Sequence, residues 1–368
     1  MAIDDRGAIA TGPITVADQG SFFVGLRRAV QPDGIAIQGQ MHVQYQIPAQ
    51  VRHPYPIVMV HGGGGQALDY LGTPDGRPGW ATLFLREGYA VYVVDRPGMG
   101  RSPYHQELLG SSSPPPTYAS MVARFAAPAS WQPPYPQARL HSQWPGTGVE
   151  GDPALDQFLA GQRGFFGDLV SAQEAMRGAG ADLLDRIGPA VLLNHSMGGA
   201  FGWVVADARP SLVKGIVAIE PIGPPFADFP GRGSLSWGLT AVPLTYDPPV
   251  ADPSELRREL RPAPGPDLID TYQQAEPARR LPHLSGIPVV VVVAEASWMA
   301  QFGHGTSAYL AQAGVDVTHF ALADVGIHGN GHMMMLERNN AEVAAAIMRW
   351  LAMHVSEPAS RWRVSDER

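Results

Sequence analysis

One serine stands among small residues in Val191-Leu192-Leu193-Asn194-His195-Ser196-Met197-Gly198-Gly199-Ala200, where a short apolar run gives way to a helix-like stretch, Phe201 to Ala208. A strand that ends in such a turn holds the hydroxyl above the sheet edge, as a nucleophile elbow does. The usual spelling is Gly-x-Ser-x-Gly; here Asn194 stands where the first glycine would, and Gly198 keeps its place after the serine. A pattern this short also arises by chance in ordinary strand-to-helix turns. The case for Ser196 as a nucleophile therefore depends on its company: a base to take its proton, an acid to orient that base, and backbone donors for the oxyanion formed when it attacks a carbonyl.

Donors are offered by Tyr55-Pro56-Ile57-Val58-Met59-Val60, an apolar strand that runs into His61-Gly62-Gly63-Gly64-Gly65. This stretch resembles the His-Gly-Gly-Gly loop of lipases and esterases, whose N–H groups make half of an oxyanion hole. Glycine permits the backbone angles that aim two amides at one point and lets a carbonyl approach closely. A phosphate-binding loop would need Gly-Lys-Ser/Thr afterwards, and none follows. The two expected donors are Gly63 and Met197, each worth on the order of 3 kcal/mol to the transition state.

Base and acid each have two candidates. His328 and His332 both lie in the loop after the last strand, and His332 directly precedes an apolar segment, Met333 to Leu336, that would anchor it. Their i, i+4 spacing lacks the glutamate of His-Glu-x-x-His and falls among glycines, which argues against a metal site. Glu220 ends the apolar run Val213 to Ile219, and Glu295 ends Ile287 to Ala294. Position alone favours Glu295. Either gives the chain order Ser, acid, His expected of this fold.

The elements that would position these residues alternate. Gly20 to Ile47 alternates apolar and polar residues and predicts antiparallel strands. A helix over Ala81 to Glu87, a buried strand over Ala90 to Asp95, and the turn Asp95-Arg96-Pro97-Gly98-Met99-Gly100-Arg101-Ser102 come next; this turn lacks the third glycine of a dinucleotide-binding motif. Later strands end at Ile219, Ala294 and Leu322, and a terminal helix spans Ala341 to Met353. Strands alternating with helices imply a mostly parallel central sheet with helices on both faces, the α/β-hydrolase fold. Two Pro-rich stretches interrupt it, because no core strand tolerates such proline density. The expected division is a core of residues 1–110, 184–220 and 283–368, with cap insertions at 111–183 and 221–282. The first insertion should continue through a helical stretch, Pro153 to Met176. Trp131, Trp144, Phe226, Phe229 and Trp237 fall in the insertions and could line a pocket or pack a small core.

Composition excludes other classes. Of 368 residues, 45% are hydrophobic and 16% charged, ordinary for a globular chain. With 26 basic against 34 acidic residues the net charge is −8, without long like-charged runs, so neither nucleic acid nor an anionic membrane is an expected partner. No apolar run is long enough to span a bilayer. The absence of cysteine removes disulfides, thiolate metal sites and a cysteine nucleophile. Met1 to Gly20 shows no basic region followed by an apolar one, which places the chain in the cytoplasm by default, or in the periplasm or outside the cell if a signal has been removed.

Together, Thr73-Pro74-Asp75-Gly76-Arg77-Pro78-Gly79-Trp80, the elbow His195-Ser196, Val217-Ala218-Ile219-Glu220-Pro221 and Gly326-Ile327-His328-Gly329-Asn330-Gly331-His332-Met333-Met334-Met335 resemble bacterial α/β-hydrolase esterases with a Ser-His-Glu triad. The resemblance covers roughly Gly20 to Trp350. It implies Ser196 as nucleophile, His332 as base and Glu220 as acid, overruling the positional preference for Glu295. The described member of that family has two adjacent, disulfide-bonded cysteines in the oxyanion loop; here Gly63-Gly64 stand instead. The expected activity is hydrolysis of a small or medium apolar carboxylic ester through an acyl-enzyme, without a cofactor. Lactone, polyester or C–C bond hydrolysis by the same triad is the enzymatic alternative, and a catalytically silent ligand receptor the non-enzymatic one. A homodimer is compatible with the sequence.

Overall fold

The computed structural model describes residues 12–355; the reading of Met1 to Gly20 falls largely outside them. The chain enters through β1 (Val16–Val24), a hairpin of residues 27–31 and 34–38, and β2 (Met41–Pro48). It continues with β3 (Ile57–Val60), α1 (Trp80–Arg86), β4 (Val91–Asp95), α2 (Pro153–Ala160), α3 (Leu169–Ile187), β5 (Ala190–His195) and α4 (Gly199–Ala208). β6 (Val213–Ile219), β7 (Val289–Val293), α5 (Gly303–Gln312), β8 (Val317–Ala321) and α6 (Asn340–His354) complete it. The eight strands form one sheet in the order β1-β2-β4-β3-β5-β6-β7-β8. β2 is antiparallel to both neighbours, while β3 to β8 run parallel. This is the expected α/β-hydrolase fold.

β3, β4, β5 and β7 are buried at every residue, as strands covered on both faces must be. The two-residue period of a strand sends alternate side chains to opposite layers. Leu192, Val289 and Val291 join α3, α4 and α5 on one face. Val191, Leu193, Val290 and Val292 join α1 and α6 on the other, where Trp80 and Trp350 pack.

Among the expected elements, the helix over 153–176 is replaced by two. Residues 161–168 leave the helical path to run beside 111–113, with Ser113 N–H bonding to the Phe165 carbonyl at 2.8 Å and Gly167 N–H to the Ser111 carbonyl at 2.7 Å. Gly164 allows the approach, since a Cβ there would lie 1.7 Å from the Ser113 oxygen. Asp168 then starts α3 by accepting the N–H groups of Val170 and Ser171. α3 packs in the same cluster as β3 and β5, and residue 183, the expected end of the first insertion, falls within it. The second Pro-rich stretch forms two short antiparallel ladders, 228–229 with 233–234 and 258–261 with 271–274, and buries Leu235, Leu239, Val242 and Leu244 against that face.

Candidate active site at the ends of β3, β5 and β6

β5 and β3 are paired neighbours, Val60 opposite Asn194, so the turns that leave them emerge side by side. The chain moves from β3 outward to β4 and returns to the other side of β3 with β5, the kind of reversal beside which α/β sheets bind ligands. Ser196 follows β5 with φ 52°, a left-handed conformation that costs a non-glycine residue about 1–3 kcal/mol and persists only where packing enforces it. The enforcement is steric. A Cβ on Gly198 would lie 2.4 Å from the His61 carbonyl oxygen, and one on Gly199 2.5 Å from Pro221, so the elbow can sit this close only with hydrogen at both. Asn194, fully buried, replaces the usual glycine because the room is made elsewhere: Gly202 on α4 faces it, where a Cβ would lie 2.7 Å from Asn194 Nδ2.

The glycine loop after β3 is fixed from beneath. Arg96, the residue after β4, donates through Nη2 to the carbonyls of Gly62 at 2.6 Å and Gly63 at 2.7 Å. The Gly62 carbonyl also bonds to His61 Nδ1 at 2.9 Å, while His61 Nε2 accepts the Arg96 N–H at 3.0 Å. Those two partners make His61 a neutral Nδ1–H tautomer, in keeping with burial, which pushes its pKa well down. In a trans peptide the C=O and the next N–H point opposite ways. Carbonyls of Gly62 and Gly63 bound to Arg96 therefore turn the N–H groups of Gly63 and Gly64 away from it. Among the described residues neither the Gly63 nor the Met197 N–H finds an acceptor. The turn beside the loop is held by its own residues: Ser102 Oγ donates to the Asp95 carbonyl at 2.6 Å and accepts the His42 N–H at 2.7 Å.

Of the two histidines, His332 is buried and His328 exposed. His332 Nδ1 lies 2.6 Å from Glu220 Oε2, and its Nε2 is buried without a partner in the wall of the cavity that also contains Ser196. Burial, and after it the charge of Arg124, push the His332 imidazolium down, so the ring is neutral. Burial lifts the Glu220 carboxyl to about 8, against the Ala294 N–H at 2.9 Å and the Ser297 side chain, which bond to it and pull the other way. With Nδ1–H donating to Glu220 Oε2, the Nε2 lone pair is free for a proton. His328 Nδ1 instead lies 3.1 Å from Glu295, whose other oxygen accepts the Gly329 N–H at 2.8 Å.

Residues without a role in the sequence reading complete the site. Glu337, fully buried, accepts the Gly331 N–H, the Asn330 side chain and His141 Nε2 at 2.7 Å, and so fixes the loop that carries His332. His195 Nε2 bonds to the His332 carbonyl at 3.0 Å and ties that loop to the elbow. Its only sequence signal was adjacency to the serine. Arg96 stood out only as part of the turn after β4; its hold on the glycine loop was not legible, because its partners are main-chain carbonyls. The cavity above these groups measures about 550 Å³, within the usual range for small-molecule sites. Trp131 and Phe229 line it, whereas Trp144, Phe226 and Trp237 are buried in the packing around it.

Comparison with known proteins agrees with this architecture. The chain is 42% identical over 319 residues to a probable secreted lipase, phiG, of Fungal sp. (strain ATCC 74256), covering 84% of this chain and 85% of that one. It is also similar to the solved structure of a novel bacterial esterase, with a TM-score of 0.66 and 25% identity over 95% of this chain and 99% of that one. Among the described residues no helix is long and apolar enough to cross a membrane. The alpha/beta hydrolase family model matches residues 57–346, and with a relative of this identity beside it the chain belongs to the alpha/beta hydrolase family.

Proposed function

We propose that this hydrolase is a serine esterase of the Ser-His-Glu type, with Ser196 as nucleophile, His332 as general base and Glu220 as the acid that orients it. The observation that carries the reading is the buried His332–Glu220 contact of 2.6 Å, which leaves Nε2 bare in the wall of the cavity that contains Ser196. In the first half-reaction Ser196 Oγ bonds to the ester carbonyl carbon while its proton passes to His332 Nε2. The oxyanion draws hydrogen bonds from the Gly63 and Met197 N–H groups. Collapse breaks the bond to the alcohol, which leaves with the proton from His332. Water then attacks the acyl-enzyme, giving its proton to the same nitrogen, and the acid departs as the serine is reprotonated. Glu220 stays ionised and stabilises the imidazolium formed in each half.

The likeness to a probable secreted lipase supports an ester bond as the target, and supports the secreted branch of the location reading. The strained Ser196 and the unpartnered Nε2 favour catalysis over a silent receptor, because both cost stability without a binding benefit of their own. The residues of 111–168 that reach over the cavity, Phe125, Trp131 and Phe165 among them, form the apolar part of a cap above the substrate. The test is labelling by a fluorophosphonate with mapping of the modified residue, alongside hydrolysis of p-nitrophenyl esters. Modification at Ser196 with ester turnover is the expected result; turnover without modification there would sink the assignment.

A further inference from the structure

Two arginines line the cavity without an acid to match them. Arg124 lies on the helical turn of residues 122–126 and Arg232 precedes the strand 233–234. Each guanidinium carbon lies over an aromatic ring of the same cavity, that of Arg124 at 5.8 Å from the Trp131 centroid and that of Arg232 at 4.2 Å from that of Phe165. A cation–π contact of this kind uses none of the guanidinium N–H groups, which stay available to a ligand. Among the described residues neither side chain makes an ion pair or a hydrogen bond. Arg163, the third arginine of the cavity, is different: it donates to the Gly98 carbonyl and packs over Tyr104 and Phe166.

The charge balance of the chain makes the pair more telling. The net charge is −8, yet the cavity has one acidic residue among the described ones that line it, Asp69. That carboxyl lies behind Gly65, and burial lifts its pKa to about 7, so it is a weak counter-ion. The field of Arg124 reaches both Arg232 and His332, adding in each case to the effect of burial. A cation facing a base that must become an imidazolium works against the reaction. An anion held between the two guanidinium groups cancels that field while the ring carries the proton.

We propose that Arg124 and Arg232 form an anion-binding subsite in this cavity, and that the preferred ester carries a carboxylate or phosphate group on the arm lying against Trp131 and Phe165. The inference rests on the esterase reading of Ser196 and names its substrate class.

Esters of matched length provide the test: p-nitrophenyl hexanoate, its adipate half-ester, and the hexanoate bearing a terminal phosphate. The expected kcat/KM for the charged esters exceeds that for the neutral one by about tenfold or more at low salt, the size of a charge-assisted hydrogen bond in a partly desolvated site. Added salt should shrink the ratio. In the double variant Arg124→Gln/Arg232→Gln the ratio should approach one, while Arg209→Gln, a surface arginine paired with Asp185, should leave it unaltered. A preference for one of the two charged esters alone identifies which anion the subsite takes. A wild-type ratio of one or less, or a ratio the double variant does not change, overturns the subsite. If Ser196 is labelled and the neutral ester turns over at that ratio, the subsite falls and the esterase stands. If no ester is hydrolysed and Ser196 is not labelled, both fall.

Discussion

Glu220–His332 and Glu295–His328 are the same two side chains arranged from neighbouring strands and one loop, and the molecule treats them in opposite ways. The first pair is 2.6 Å apart with side chains 0% and 2% exposed; the second is 3.1 Å apart with side chains 22% and 62% exposed. In the exposed pair water competes for every hydrogen bond and salt screens the charge, so an interaction of this kind contributes about 0–1 kcal/mol. In the buried pair nothing competes, and a carboxylate there acts on the imidazolium through a much lower dielectric. Residue type and chain position therefore say little about which pair can do proton chemistry. Exclusion of water says more.

The largest effect should come from the buried side of this contrast. Ser196→Ala and His332→Ala should each lower kcat by about 10⁶-fold, as removal of either partner does in a serine protease triad. His328→Ala should leave turnover within a small factor of wild type, and steady-state hydrolysis of a p-nitrophenyl ester compares all three. Next, Glu220→Gln keeps size and hydrogen bonding but removes the charge, for an expected loss of about 10⁴-fold. Glu295→Gln should be nearly silent. A dead Glu295→Gln enzyme beside an active Glu220→Gln one would reverse the comparison.

A smaller effect belongs to Arg96. Replacement by Met removes the donor that holds the Gly62 and Gly63 carbonyls, and the freed loop should lose one oxyanion donor, about 10²- to 10³-fold in kcat. The rate of fluorophosphonate labelling should fall in parallel, and circular dichroism of the variant shows whether the fold persists. The smallest effect is on pH. Burial holds His61 and His195 well below the ordinary histidine value, so between that depressed range and 6.5 the unfolded chain binds protons that the native one refuses. Stability should thus be full above pH 6.5 and decline as pH drops below it. Since His332 is pushed down as well, kcat/KM measured below the melting temperature should stay level through pH 6.5 while the melting temperature already falls. An activity limb at 6.5 with an unchanged melting temperature would mean that the base is solvated.

Much of the framework was legible because parallel strands buried on both faces read as unbroken apolar runs: Val213 to Ile219 is expected and found without a shift of either end. The loops that carry the chemistry have no such period. Glu220 and Glu295 each end an apolar run, and nothing in the two runs shows that the Ala294 N–H and the Ser297 side chain, on either side of Glu295, bond to Glu220 instead. The same limit appears in the caps. Trp131 and Trp144 stand in similar Pro-rich surroundings, yet one lines the cavity and the other is buried with its indole N–H on Asp152 at 3.0 Å. The helix expected through residue 176 failed at 161–168 because the glycines there match a neighbouring segment, a long-range pairing that no local window contains.

The exchange of small residues between Asn194 and Gly202 reaches beyond this turn. A search keyed to glycine two places before the serine passes over such a chain, although the serine and the residue two places after it conform. In this turn the space is shared between a strand residue and a helix residue eight positions apart, and here the helix residue is the small one. Asn194→Gly should then open a void beneath the helix, and Gly202→Ala alone should clash with the Asn194 amide, while the two together restore the sum.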